Sequence, residues 1–117
     1  MTKPIKSKYK SKKTEYNGVL YDSKKEANRA KQLDFALKNG LITNLRRQVK
    51  YTWIETHTLE KGNSLEVETK RTYIADFIYI NDIGIEVIED VKGFKTAEYK
   101  KKKKIVEHLF KIKITEI

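Results

Sequence analysis

Apolar positions along the chain change period several times, and each change predicts an element. Residues 14–23, TEYNGVLYDS, place Asn17-Gly18 between apolar flanks, the strongest short signal for a tight hairpin. Ser23 with Glu26 three residues on has the spacing of a capping box, so a helix is expected from there. Its apolar positions Ala30, Leu33 and Leu37 step by three and four, and Asn39-Gly40 closes it. Residues 41–45 read as a short connection. Residues 48–56 read as a strand, with Val49, Tyr51 and Trp53 alternating, and the polar stretch 58–69 around Gly62-Asn63 reads as a long hairpin connection. Residues 71–80, RTYIADFIYI, are apolar on both parities except at Asp76. Asn81-Asp82 makes a turn into a strand over 84–92 that Gly93 ends. Thr96 can cap a second helix from Ala97 to about Leu109, with Glu98 near its positive end. Phe110, Ile112 and Ile114 alternate in a last strand.

The order is hairpin, helix, three strands, helix, strand. A helix-linked pair at the end requires a crossover, hence parallel pairing beside antiparallel hairpins. The expected class is α/β: a mixed sheet flanked by helices, in one domain over residues 14–117 preceded by a basic, flexible arm over 1–13.

Composition adds a partner. The 117 residues carry 26 Lys+Arg against 16 Asp+Glu, a formal charge of +10. Six of those lysines fall in residues 1–13 without an acid, and residues 100–104 are lysine throughout, while acids gather in 55–68 and 82–90. Such segregation fits a phosphate-binding face. The absence of cysteine excludes disulfides and thiolate zinc sites. No apolar run is long enough to span a bilayer and none follows the basic N-terminus as a signal peptide would, so a cytoplasmic protein is expected.

The candidate chemistry lies in the acids. Side chains two apart on a strand share a face, so Asp90 and not Glu89 stands beside Lys92. Asp76 interrupts an apolar strand and is costly to bury unless paired or bound to a cation. A turn near residue 82 sets Asp76 opposite residues 88–90, where two carboxylates could bridge a hard cation, Mg²⁺ or Mn²⁺. Taken alone, Asp90-x-Lys92 is a common same-face ion pair. Glu26 has two readings of equal weight: the returning member of the capping box, or a carboxylate on the inward stripe 26, 30, 33, 37 that reaches the sheet. His57 and His108 have no partner at metal-ligand spacing, and Trp53 reads as core.

An acid early in the first helix, a strand with x-D and a strand ending (D/E)-x-K resemble the PD-(D/E)xK nuclease superfamily, with its restriction-endonuclease-like fold. The pieces here are Glu26, Ala75-Asp76 and Asp90-Val91-Lys92. YIADFIYI followed by VIEDVKG resembles small phage and prophage nucleases of the junction-resolving endonuclease I and TnsA-like type. The resemblance implies a metal-dependent DNA endonuclease acting in a bacterial host's cytoplasm. Asp76, Asp90 and the Val91 carbonyl would be metal ligands, Glu26 would bind the metal or its water, and Lys92 would orient the nucleophile. Ala75 stands where the motif is named for proline. Gln48 lies where some members carry a glutamine before an aromatic; the competing reading is a polar residue on a strand's outer face. Lys95, together with Lys100, Lys103 and Lys104 on one side of the second helix, and Lys10, Lys12 and Lys13 of the arm, are the expected DNA contacts. Cutting both strands of a Holliday junction or other branched DNA would need a symmetric dimer. The alternatives are a non-catalytic DNA-binding module on the same fold and a nuclease subunit active only with a partner.

Overall fold

The computed structural model describes residues 12–92 and 95–117. The expected arm over residues 1–11, with Lys10, and Gly93 as the end of the central strand lie outside these. Eight elements follow one another: β1 (Thr14–Tyr16), β2 (Val19–Tyr21), α1 (Lys24–Lys38), β3 (Thr43–Lys61), β4 (Asn63–Ile80), β5 (Glu86–Asp90), α2 (Ala97–Phe110) and β6 (Ile114–Glu116). β1 and β2 form a small separate hairpin turning at Asn17-Gly18, both at positive φ. The remaining strands form one mixed sheet in the order β3-β4-β5-β6, antiparallel except for the parallel β5–β6 pair that α2 connects. The chain is a single small α/β domain, as its alternating periods imply.

Both helices begin where their caps require. Ser23 Oγ accepts from the Glu26 N–H at 3.0 Å, and Thr96 Oγ1 from the Tyr99 N–H at 3.0 Å. Each bond satisfies one of the donors left open at a helix start, worth about 1 kcal/mol. Lys111 caps α2 in the left-handed region, φ 54. The turn after β4 is held by Asn81, whose Oδ1 accepts from the Ile83 and Ile85 N–H groups.

Three expected boundaries are corrected. Residues 58–69 are not a loop: β3 and β4 pair in continuous register from Val49↔Ala75 to Lys61↔Asn63 and turn at Gly62, φ 74. Alternating threonines and glutamates there read as polar, but their period of two and β-branched content suit a two-stranded ribbon. Residues 41–45 are not merely a connection, since β3 starts at Thr43. Phe110 ends α2 rather than opening the last strand, because its ring packs edge-on against Tyr51 at 5.1 Å between centroids.

The core has two layers. Tyr21, Ala27, Ala30, Leu33, Ile42, Phe77, Tyr79 and Val91 pack between α1 and one face of the sheet. Tyr73, Ala75, Ile78, Ile88, Val106 and Ile114 pack between the other face and α2, with Val49, Tyr51 and Trp53 against them. Odd-numbered β4 residues therefore face α2 at 73 and 75 but α1 at 77 and 79. In β3, Leu45 packs with the α1 layer and Val49 with the α2 layer. Both strands thus exchange faces at one rung, Gln48 and Asp76. Gln48 makes this turn in the left-handed region, φ 53, a conformation that costs a non-glycine residue about 1 kcal/mol or more. Pairing resumes unshifted on either side, Arg47↔Phe77 and Val49↔Ala75.

Candidate active site

The reversed rung lies beside the end of β5. The β4–β5 ladder runs to Phe77↔Glu89; one step further, the register sets Asp76 level with Asp90. The next ladder donor, Val91 N–H, bonds Asp76 Oδ2 at 2.8 Å instead of a backbone carbonyl. Asp76 is thereby fixed at the end of the strand that carries Asp90. Burial and the neighbouring Asp90 carboxyl push the Asp76 acid up to about 7, against the pull of the Val91 amide.

Asp90 is fully buried, 0% exposed. The Tyr73 hydroxyl donates to its Oδ2 at 2.7 Å, and burial together with this bond raises the Tyr73 phenol. Its Oδ1 accepts no hydrogen bond; the Lys92 ammonium stands 3.6 Å away. A buried carboxylate oxygen with an open lone pair costs free energy unless something positive completes it. Lys92 lies 5.1 Å above the Tyr99 ring, which holds the ammonium beside the acid while leaving it half-buried.

Glu26 is on the inward stripe of α1 and buried. Its backbone N–H bonds Ser23 Oγ, but among the described residues its carboxyl does not return to the Ser23 N–H as a capping box would have it; the carboxyl faces the sheet, the second of the two expected readings. Burial, then the Asp22 charge, raises its acid, and Arg47 and Lys92 oppose the shift. Gln48 bridges it to the rung, donating through Nε2 to Glu26 Oε2 at 3.3 Å and Asp76 Oδ1 at 3.4 Å. The outer-face reading of Gln48 is corrected: its left-handed backbone turns the amide over the acids.

Glu89 takes no part in this cluster. It points to the α1 face, where Arg29 Nε and Nη2 bond its two oxygens at 2.8 and 2.6 Å and the Tyr79 hydroxyl donates to it. This buried fork docks α1 on the sheet and so sets how far Glu26 stands from Asp76.

The expected lysines divide. Lys95 and Lys103 both pair with Glu116, at 3.2 and 3.6 Å, so Lys103 is turned inward and does not share an outer face with Lys100 and Lys104. Those two are exposed. Lys13 makes an exposed pair with Asp22, and Lys12 is exposed. Two lysines outside the expected set stand beside Lys92 instead. Lys102 lines a groove with Lys92, Tyr99 and Thr96, and the Lys25 ammonium reaches the Lys92 carbonyl at 3.4 Å.

The family model described as "Protein of unknown function (DUF1064)" matches residues 6–117. The chain belongs to this DUF1064 family. Comparison with curated proteins and with solved structures gave no match. The site of this DUF1064 chain is therefore judged on its chemistry. Among the described residues no three acidic or histidine side chains close into a ready-made metal cage. Two adjoining aspartates with one open, buried oxygen do fit a hard divalent cation whose remaining positions are filled by water and substrate oxygens, the usual shell of Mg²⁺.

Proposed function

We propose that this DUF1064 protein is a divalent-metal-dependent DNA endonuclease of the PD-(D/E)xK type. The observation that carries the reading is the buried Asp90, with one oxygen open, flanked by the raised acid of Asp76 and by Lys92. Asp90 and Asp76 would hold Mg²⁺ or Mn²⁺, with Glu26 and the Val91 carbonyl as further donors. When bound, such a cation polarises the phosphodiester and lowers the pKa of a water. The chain's own groups supply the rest. Tyr73 and the Val91 amide lock the two aspartates, and Gln48 holds Glu26 toward them. Lys92 offers a positive charge where the phosphoryl oxygens gain negative charge, or a hydrogen bond to the attacking water. The water's oxygen would bond to phosphorus as its proton passes to solvent, the bridging P–O bond would break, and the leaving oxygen would take a proton from solvent. Lys25 and Lys102 stand beside Lys92, and exposed Lys100 and Lys104 extend positive charge along α2 toward the DNA backbone. Nothing in this set reads base edges, so a branched or junction substrate in a bacterial host is the reading to test first.

The experiment is cleavage of four-way junction, nicked, single-stranded and linear DNA by the purified full chain in Mg²⁺, Mn²⁺ or EDTA. Metal-dependent cutting that Asp90→Asn abolishes is the expected result. Binding without cutting on every substrate would favour a DNA-binding module. Cutting that survives Asp90→Asn would remove the assigned site. Among the described residues no helix is long and apolar enough to cross a membrane.

A further inference from the structure

The chain's arginines are Arg29, Arg46, Arg47 and Arg71. Three of them are spent on carboxylates: Arg29 on Glu89 at 2.6 Å, Arg46 on Glu86 at 3.1 Å and Arg71 on Glu55 at 3.1 Å. Among the described residues no carboxylate pairs with Arg47. Yet this side chain is held in place. It is half-buried, and its guanidinium carbon lies 4.3 Å from the centroid of the Tyr21 ring. Tyr21 is itself buried in the layer between α1 and the sheet. Stacking on an aromatic face fixes the guanidinium plane and leaves its edge to meet an acceptor. The Nε end is buried without one, so the terminal nitrogens are the donors left for a ligand.

The position is beside the acids. Arg47 directly precedes Gln48, whose amide meets Glu26 and Asp76, and its ladder partner Phe77 directly follows Asp76. Arg47 lies in the α1 layer with Tyr21 and Phe77, whereas Lys92 lies against Tyr99 of α2. The two cations thus stand on opposite sides of the carboxylates. Both charges act on the Glu26 acid and oppose its rise. Asp22, the other acid near Glu26, is paired with exposed Lys13 at 3.8 Å.

We propose that Arg47 binds a backbone phosphate of the DNA, next in the strand to the phosphate held at Asp90 and Lys92. The strand to be cut then crosses the acids from the α2 side to the α1 side. The choice of ligand rests on the nuclease reading above. The geometry suits it: a guanidinium of fixed plane can give a phosphate two parallel N–H···O bonds. Unlike Lys92, which stands beside Asp90, Arg47 gives up no carboxylate to do so.

The test is fluorescence anisotropy of labelled linear duplex and four-way junction DNA with the full chain in EDTA, from about 50 to 200 mM NaCl. Arg47→Met keeps an apolar stem on Tyr21. It should lower the slope of log affinity against log salt by about one and weaken binding about fivefold or more. Arg47→Lys should keep the slope and still lose about threefold, because an ammonium lacks the fork. An unchanged slope in Arg47→Met, with a wild-type far-UV circular dichroism spectrum, would overturn the proposal and leave Arg47 as a brace for Tyr21 and Glu26. Should Arg47→Met fail to fold, Arg47→Lys decides, and wild-type affinity in that variant refutes the fork. Cleavage in Mg²⁺ is scored separately. A lowered slope without any cutting keeps the phosphate site and removes the nuclease reading. Cutting by the wild type with an unchanged slope in Arg47→Met does the reverse.

Discussion

The Val91 amide donates to the Asp76 carboxylate at 2.8 Å, so a side chain stands where the sheet would supply a backbone acceptor. The bond fastens the two acid-bearing strands at one point and makes the position of Asp76 a property of the ladder. Asp76→Ala should therefore lose more than a ligand. Val91 is buried, and its amide is left without that acceptor, at a cost of about 1–3 kcal/mol. Urea denaturation in EDTA should show this loss, and Asp76→Asn, which keeps an acceptor oxygen, should show less.

Asp90→Asn should separate stability from cation response. The amide keeps the Tyr73 contact and removes a buried charge, so the melting temperature in EDTA should hold or rise. The increase that Mg²⁺ gives the wild type should vanish, and cleavage should fall at least about a hundredfold. A Mg²⁺-induced shift in Asp90→Asn equal to wild type would mean that the cation sits elsewhere.

The Asp76 acid stands at about 7 in the fold against an ordinary 3.8. The folded chain thus binds a proton that the unfolded chain releases. Asp76's contribution to stability is complete below pH about 4, falls as pH rises and is gone above about 7; Glu26, raised in the same direction, adds to the trend. Metal-free protein should melt lower at pH 8 than at pH 5.5, whereas Mg²⁺ should stabilise it more at pH 8, where the acid is already ionised. Thermal melts across that range, with and without Mg²⁺, check both slopes.

Arg29→Met leaves Glu89 buried without its fork, which should cost about 3–5 kcal/mol. Glu89→Gln with Arg29 intact should cost less, because the amide still meets Tyr79. Lys92→Ala should leave DNA affinity within about threefold, as it removes one phosphate contact among several, while slowing cleavage about a hundredfold or more. A gel-shift titration and a single-turnover time course measure the two sides.

Gln48 offers a trade between backbone and chemistry. Gln48→Gly and Gln48→Ala both remove the amide, but only glycine accepts φ 53 without strain. The glycine variant should be more stable than the alanine variant by about 1 kcal/mol, with both impaired in cleavage.

The helix starts, the Asn17-Gly18 hairpin, the crossover to a parallel last strand and the separation of Asp90 from Glu89 were all legible in the chain, because caps, turn dipeptides and strand parity are local signals. The distal ribbon was hidden by its polarity: both of its faces meet solvent, so hydrophobicity could not mark it. Gln48 was misplaced because strand parity assumes extended backbone, and a single left-handed residue breaks that assumption. Arg29 and Glu89 lie sixty residues apart, and the inward turn of Lys103 depends on Glu116 arriving from β6; neither pairing leaves a trace in spacing. A lone aspartate in an apolar strand, by contrast, was a sound pointer, since burial of that charge demands a partner.

The exchange of faces at Gln48 and Asp76 also constrains how such a chain can diverge. With Ala75 on the α2 face and Phe77 on the α1 face, deleting the residue between them would restore plain alternation and keep both hydrophobic layers, but it would remove the acid. The extra residue in each strand is therefore a feature of the site and not of the packing, and related chains that keep the chemistry should keep it, while the distal ribbon can grow or shrink by matched pairs of residues.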